Sequence, residues 1–236
     1  QSVPYFYKGY WYITRYEKGL EYPVFSRKKD SLENEEEILI DQNELATNHA
    51  YHALGGMQVS PNNLLMAFGE DTVSRRIYTI RFKDLESGEV LEDVLQNTTG
   101  NVAWANDNKT VFYTQKDESL RSYKIFRHVL GTPQSEDVEI FHEADETFNT
   151  GVYRSKSGAY IIIGSGATVS NEYRFLSADT PLGEFTVFQP RERHLEYSIA
   201  HYKDHFYVLT NLDAKNFSLM RTSVNATEKP NWEAVI

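Results

Sequence analysis

A turn signal that recurs five times at nearly constant spacing limits this chain more than any other feature. Lys8-Gly9, Pro61-Asn62, Asp107-Asn108, Ser157-Gly158 and Lys203-Asp204 are separated by 53, 46, 50 and 46 residues, counted at the second residue of each pair. Such residues tolerate left-handed backbone or bond their own main chain, so each pair marks a reversal. An aromatic or aliphatic run follows every one, at 10–15, 64–69, 110–115, 160–165 and 205–209. After a polar loop comes another run, at 22–28, 77–84, 123–129, 172–177 and 217–223, and the pattern predicts a last strand at 37–41, 90–94, 138–141, 185–190 and 232–236. Four strands repeating every 40 to 50 residues is the signature of a β-propeller.

The expected fold class is therefore all-β, a propeller arc of five four-stranded antiparallel blades at roughly 1–42, 43–95, 96–143, 144–191 and 192–236. Two β-sandwiches also give short strands with regular turns, but they do not require the same strand order in every unit. The stretch 32–40 is the one helical candidate, and SLENEEE (31–37) at its start reads as a solvated charged loop. An inner strand for the first unit has to come from residues 3–7.

Composition narrows the function classes. Sixteen Tyr, 13 Phe and 3 Trp favour strands. With 34 acidic against 24 basic residues the formal charge is −10, which argues against nucleic acid as a partner and suits attraction of cationic ligands. No run of 18 apolar residues is present, so no membrane partner is expected. Cysteine is absent, which removes disulfides and thiolate chemistry. Gln1-Ser2-Val3 carries no leader pattern; a cytoplasmic location is the expectation, with the periplasm left open.

Several longer blocks resemble a known family. WANDN (104–108), YKIFRHVLGTPQSED (123–137), EADETF (143–148), SNEYRFLSAD (170–179) and EYSIAHYKDHFYVLTNLDAKNFSLMRT (196–222) are similar to the propeller of the oligopeptidase B, or protease II, branch of the prolyl oligopeptidase family of serine peptidases. VPYFYKGYWYITRYEKGLEYPVFSRK (3–28), NELA (43–46) and LGGMQVSPN (54–62) extend the resemblance across the chain. It implies a seven-bladed propeller, about five blades of which lie here, capping an α/β-hydrolase domain that cleaves short peptides after Arg or Lys. That hydrolase domain and short basic peptides are the implied partners. No cofactor is implied.

The catalytic serine of such enzymes sits in a Gly-x-Ser-x-Gly elbow. None occurs in these 236 residues, and the nearest string, Ile163-Gly164-Ser165-Gly166-Ala167, reads as a tight turn ending a strand. No catalytic residue is therefore assigned, and the expected state of this segment alone is inactive. His49-x-x-His52 and His201-x-x-x-His205 have metal-like spacing without accompanying carboxylates, so no metal site is assigned. His128 is expected to be a hydrogen-bonded structural residue.

In a four-stranded blade, the loop between the second and third strands shares an end with the linker to the next blade. Glu70, Asp71, Asp117 and Glu118 are expected in the first kind of loop, Asp145 and Glu146 in the second. These carboxylates are the candidate residues facing a hydrolase domain or a cationic peptide. The expected role is substrate gating and size selection, with a self-standing interaction scaffold and a propeller glycosidase as rival readings. Open blade edges predict self-association of the segment.

Overall fold

The computed structural model describes residues 2–235. They form two compact units, one from residues up to Leu54 with Asp71–Arg75, the other from Gly55–Glu70 and the residues from Arg76 onward.

In the first unit, β1 (Tyr5–Tyr7), β2 (Tyr10–Tyr16), β3 (Pro23–Lys29) and β4 (Glu36–Asp41) form one antiparallel sheet in chain order. Lys8 and Gly9 take φ of 47° and 83°, the left-handed pair that matches a two-residue hairpin to strand twist. The helical candidate at 32–40 is instead a loop running into β4. The helix lies just beyond it, α1 (Gln42–Ala46), started by Asp41, whose carboxylate accepts from the Asn43 amide at 2.9 Å. Five residues carry too little periodicity to be visible in sequence.

The larger unit opens with β5 (Ala53–Val59), β6 (Leu65–Asp71), β7 (Tyr78–Asp84), β8 (Val90–Trp104), β9 (Thr110–Lys116), β10 (Ser122–Val129) and β11 (Val138–His142), paired in sequence order as a seven-stranded sheet. The 15-residue β8 makes seven strands out of two fours: residues 90–98 pair with β7, and Val102–Trp104 pair with β9. It bends at Asn97 (φ 59°) and Gly100 (φ 88°), where the register shifts. Gly100 is required there. A Cβ on it would sit 2.8 Å from the Tyr78 ring, and one on Gly69 would sit 2.3 Å from the Gly100 carbonyl oxygen.

Two further sheets follow in simple order: β12 (Asn149–Arg154), β13 (Tyr160–Ala167), β14 (Ser170–Ser177) and β15 (Thr186–Val187), then β16 (Tyr197–Tyr202), β17 (His205–Thr210), β18 (Ser218–Ser223) and β19 (Glu233–Ala234). The last two outer strands are shorter than the sequence runs at 185–190 and 232–236, and Ile236 lies outside the described residues. The Ile163–Ala167 string is a correction. It is the end of β13, not a turn, because Gly166 and Ala167 keep pairing with Asn171 and Ser170 across a two-residue reversal.

The repeat is physical. The amides of Ser60, Ala105 and Ser155 donate to the carbonyls of Leu65, Thr110 and Tyr160 at 2.8, 2.9 and 2.8 Å, and left-handed φ falls three residues in, at Asn63, Asn108 and Gly158. The second blade's reversal thus centres on Asn63, one residue later than the Pro61-Asn62 signal.

Alternation along each strand feeds both faces of a blade. Val111 and Tyr113 pack with Ile80, Phe82 and Trp104, while Phe112 between them packs with Val152, Ile161 and Ile163 of the next sheet. Ile162 in turn faces Phe188, Tyr197, Phe206 and Trp232. A lone sheet of this kind exposes apolar surface on both sides; stacking blade on blade buries it. The chain is all-β, built of four-stranded antiparallel propeller blades.

Candidate interface at the loop face

Asp117 to Arg121 joins β9 to β10, and the linker 143–148 joins β11 to β12. Asp117 organises the first loop: one carboxylate oxygen accepts from the amide and hydroxyl of Ser119 at 2.9 and 2.6 Å and from the Arg121 amide at 3.0 Å. The Ser119 hydroxyl, followed by the backbone and side chain of Arg121, holds this carboxyl below the usual range.

Arg121 binds the loop to the linker. Its Nε donates to Asp117 at 3.1 Å, and Nη1 donates to the carbonyls of Glu143, Asp145 and Phe148 at 3.2, 3.2 and 3.1 Å. One guanidinium therefore covers three backbone acceptors that the irregular linker leaves without strand partners.

The following linker, after β15, sends Arg191 back onto the same segment. Its Nη2 donates to Glu143 at 2.6 Å and its guanidinium carbon lies 3.6 Å from the centre of the Phe148 ring. Asp145 and Glu172 are each 3.8 Å away. Glu143 is buried at 3% exposure. Burial pushes its carboxyl upward, yet hydrogen bonds from Arg191, Ser165 and the Asp145 amide outweigh this and hold it below the usual value. Asp145 is exposed and is held low by the Thr147 hydroxyl and amide.

The sequence candidates thus separate into two kinds. Asp117, Glu118 and Glu146 line one surface recess of about 500 Å³ with Ser119 and Arg121, and Asp145 adjoins it through the Arg121 contact. Glu70 and Asp71 are not loop residues: they end β6, because the ladder with β7 continues through Glu70 opposite Thr79. Glu70 accepts from Arg81 at 2.5 Å. Asp71, in the smaller unit, is 1% exposed and accepts from the Val73 amide at 2.9 Å. Neither joins the recess.

Sequence reading missed Arg121, Glu143, Glu172 and Arg191. Their signal was positional, charged residues at the start of consecutive linkers and third strands, and only the pairing register makes it legible. His128 is a buried polar residue, its Nδ1 2.6 Å from Asp137 and its Nε2 3.2 Å from Asp93. His201 and His205 flank the β16–β17 hairpin turn.

The whole chain, residues 1–236, matches the family model described as prolyl oligopeptidase, N-terminal beta-propeller domain. It belongs to the prolyl oligopeptidase family. This is a family of serine peptidases. The chain is 39% identical to dipeptidyl aminopeptidase BI of Pseudoxanthomonas mexicana over 98% of its length, and 31% identical to Protease 2 of Moraxella lacunata over 95%. Among solved structures it superposes on oligopeptidase B from Leishmania major with a TM-score of 0.91 at 29% identity, over 99% of this chain and 33% of that one. Oligopeptidase B from Trypanosoma brucei, in a closed form with covalently bound antipain, gives 0.87 at 32%, over 96% of this chain and 32% of that one. The chain spans about a third of the length of these relatives, 34% of each of the two curated proteins. The family model places propeller sequence along the entire chain.

Proposed function

We propose that this propeller segment gates access to an α/β-hydrolase domain of a serine oligopeptidase that cleaves short peptides after Arg or Lys, admitting flexible peptides and excluding folded proteins by size. The observation that carries the reading is the recess of Asp117, Glu118 and Glu146 at the end of the blades where loops and linkers meet. Three carboxylates face one guanidinium already committed to Asp117 and the linker carbonyls. A cationic peptide side chain, or a cation of the hydrolase domain, is the complementary occupant. The likeness to two oligopeptidase B structures and to a Protease 2 supports cleavage at basic residues.

A second reading, release of dipeptides from peptide N-termini, is favoured by the 39% identity to a dipeptidyl aminopeptidase. An N-terminal ammonium is also a cation that the recess suits. Membership of a serine peptidase family leaves the glycosidase reading without support, and the scaffold reading differs from ours in needing no hydrolase partner.

The test compares the isolated 236-residue chain with the polypeptide of the complete gene. The isolated chain shows no turnover of an Arg-aminomethylcoumarin substrate. The complete polypeptide cleaves it, and Glu118→Gln with Glu146→Gln lowers kcat/KM for Arg substrates by about threefold to tenfold, with less effect on neutral ones. Serine-inhibitor-sensitive turnover by the isolated chain overturns the proposal. Cleavage confined to N-terminal dipeptides replaces the first reading with the second. The open edges at β1 and β19 further predict concentration-dependent self-association of the isolated chain. Strictly monomeric light scattering at high concentration contradicts that.

A further inference from the structure

β12 runs from the linker at 143–148 to a turn at the other end of the blade, 155–159, and that turn carries a serine in an unusual setting. The Ser157 hydroxyl lies 2.8 Å from Nδ1 of His201 and 2.9 Å from the Ser155 hydroxyl. Ser155 accepts from the Tyr160 amide at 3.0 Å, and Ser157 accepts from the Ala159 amide at 3.3 Å. With an amide already pointed at each oxygen, the arrangement that uses every proton has Ser155 donating to Ser157 and Ser157 donating to the imidazole.

His201 is built to accept. Its ring lies 4.7 Å from the Tyr160 ring and 5.2 Å from that of Phe206. Desolvation by this packing lowers its pKa; a backbone hydrogen bond with Lys203 and the Asp204 carboxylate act in the opposite direction without cancelling it. Of the groups on its own hairpin, Asp204 acts on the ring by its charge and Lys203 through its backbone; Tyr160 faces it from β13. At neutral pH the imidazole is uncharged and can take a proton. Ser157 itself is exposed to solvent.

A hydroxyl within hydrogen-bond reach of a neutral imidazole, with the imidazole held by a third group, is the arrangement of an activated nucleophile. We propose that Ser157 is a covalent acylation site, modified by activated acyl donors such as esters of good leaving groups, with His201 as its general base. The Ser157 oxygen attacks the acyl carbon as its proton passes to His201 Nδ1. The bond from acyl carbon to leaving oxygen breaks, the leaving group departs with that electron pair, and the imidazolium returns its proton to solvent. This site is independent of the peptidase reading, and it shares no residue with the recess.

The experiment incubates the 236-residue chain with p-nitrophenyl acetate and follows intact mass, then maps the acetyl group by peptide sequencing. Ser157 is expected to label about a hundredfold faster than other exposed serines, the low end of what a positioned base contributes. His201→Phe, which keeps the ring packing on Tyr160 and Phe206, removes that advantage, and labelling of surface lysines stays constant as an internal control. In the unaltered chain the Ser157 rate rises with pH through a midpoint below 6.5 and is level at alkaline pH. Acetylation at lysines alone, a Ser157 rate unchanged in His201→Phe, or a rate climbing steadily to pH 9 overturns the assignment.

Discussion

Replacing Arg191 by Met tests whether the loop face is held by a buried ion pair between successive linkers. The substitution keeps an aliphatic stem over Phe148 but deletes two charge-assisted donors to Glu143, at 3.3 and 2.6 Å. Each such bond contributes about 1.5–3 kcal/mol when fully buried. Removing one partner of a buried pair costs about 3–5 kcal/mol because a charge is left uncompensated. Two facts reduce that figure here: the Arg191 side chain is 27% exposed, and Glu143 keeps the Asp145 amide at 3.1 Å. The expected loss is therefore about 2–3 kcal/mol. Adding Glu143→Gln to Arg191→Met removes the stranded charge, so the double variant should recover at least about 1 kcal/mol relative to Arg191→Met. Urea unfolding followed by tryptophan fluorescence reads the larger unit through Trp104 and Trp232 if Trp11 is first replaced by Phe. Glu143 also gives the experiment a pH signature. Its folded pKa is depressed, so the stabilisation is present above the unfolded value near 4.5 and is lost as pH falls through the folded value. A loss under 0.5 kcal/mol on Arg191→Met, or a double variant less stable than the single one, refutes the reasoning.

Three further outcomes follow from the same structure. Phe112→Ala empties a fully buried site between blades, edge-on to Phe185 at 5.6 Å, and should cost about 3–5 kcal/mol in the same urea assay. Gly164→Ala places a methyl 2.9 Å from the Tyr173 ring and should cost about 1–3 kcal/mol; an unchanged unfolding midpoint would show that the ring swings away freely. For His128, burial lowers the pKa but the Asp137 and Asp93 carboxylates raise it above the usual value on balance. That stabilisation is full below the unfolded pKa of about 6.5 and fades as pH rises through the folded one. An imidazole NMR titration midpoint at or below 6.5 would contradict it.

The strand framework was legible because blades require apolar residues on both faces, and runs such as TVFYTQ and YIIIGS declare themselves. Turn chemistry fixed the phase to within one residue, missing only that Asn63 and not Asn62 carries the left-handed backbone. What sequence did not show was continuity and charge pairing. Nothing in VLEDVLQNTTGNVAW marks it as one strand serving two blades until Gly69 and Gly100 are seen to touch. Glu70 and Asp71 read as loop because acidic pairs often are, whereas β6 runs on through both, with Glu70 paired to Thr79 in the ladder. Arg121 and Arg191 escaped notice because their partners, the linker carbonyls and Glu143, lie 22–48 residues away in sequence.

The central claim is that the face carrying Asp117, Glu118, Asp145 and Glu146 meets a hydrolase domain, and hydrogen exchange tests it directly. Amides of 117–121 and 143–148 should exchange at least about tenfold more slowly in the polypeptide of the complete gene than in the isolated 236-residue chain, while those of the 155–159 turn exchange alike in both. Equal exchange at 117–121 and 143–148, or protection that appears only at the 155–159 turn, would contradict the account.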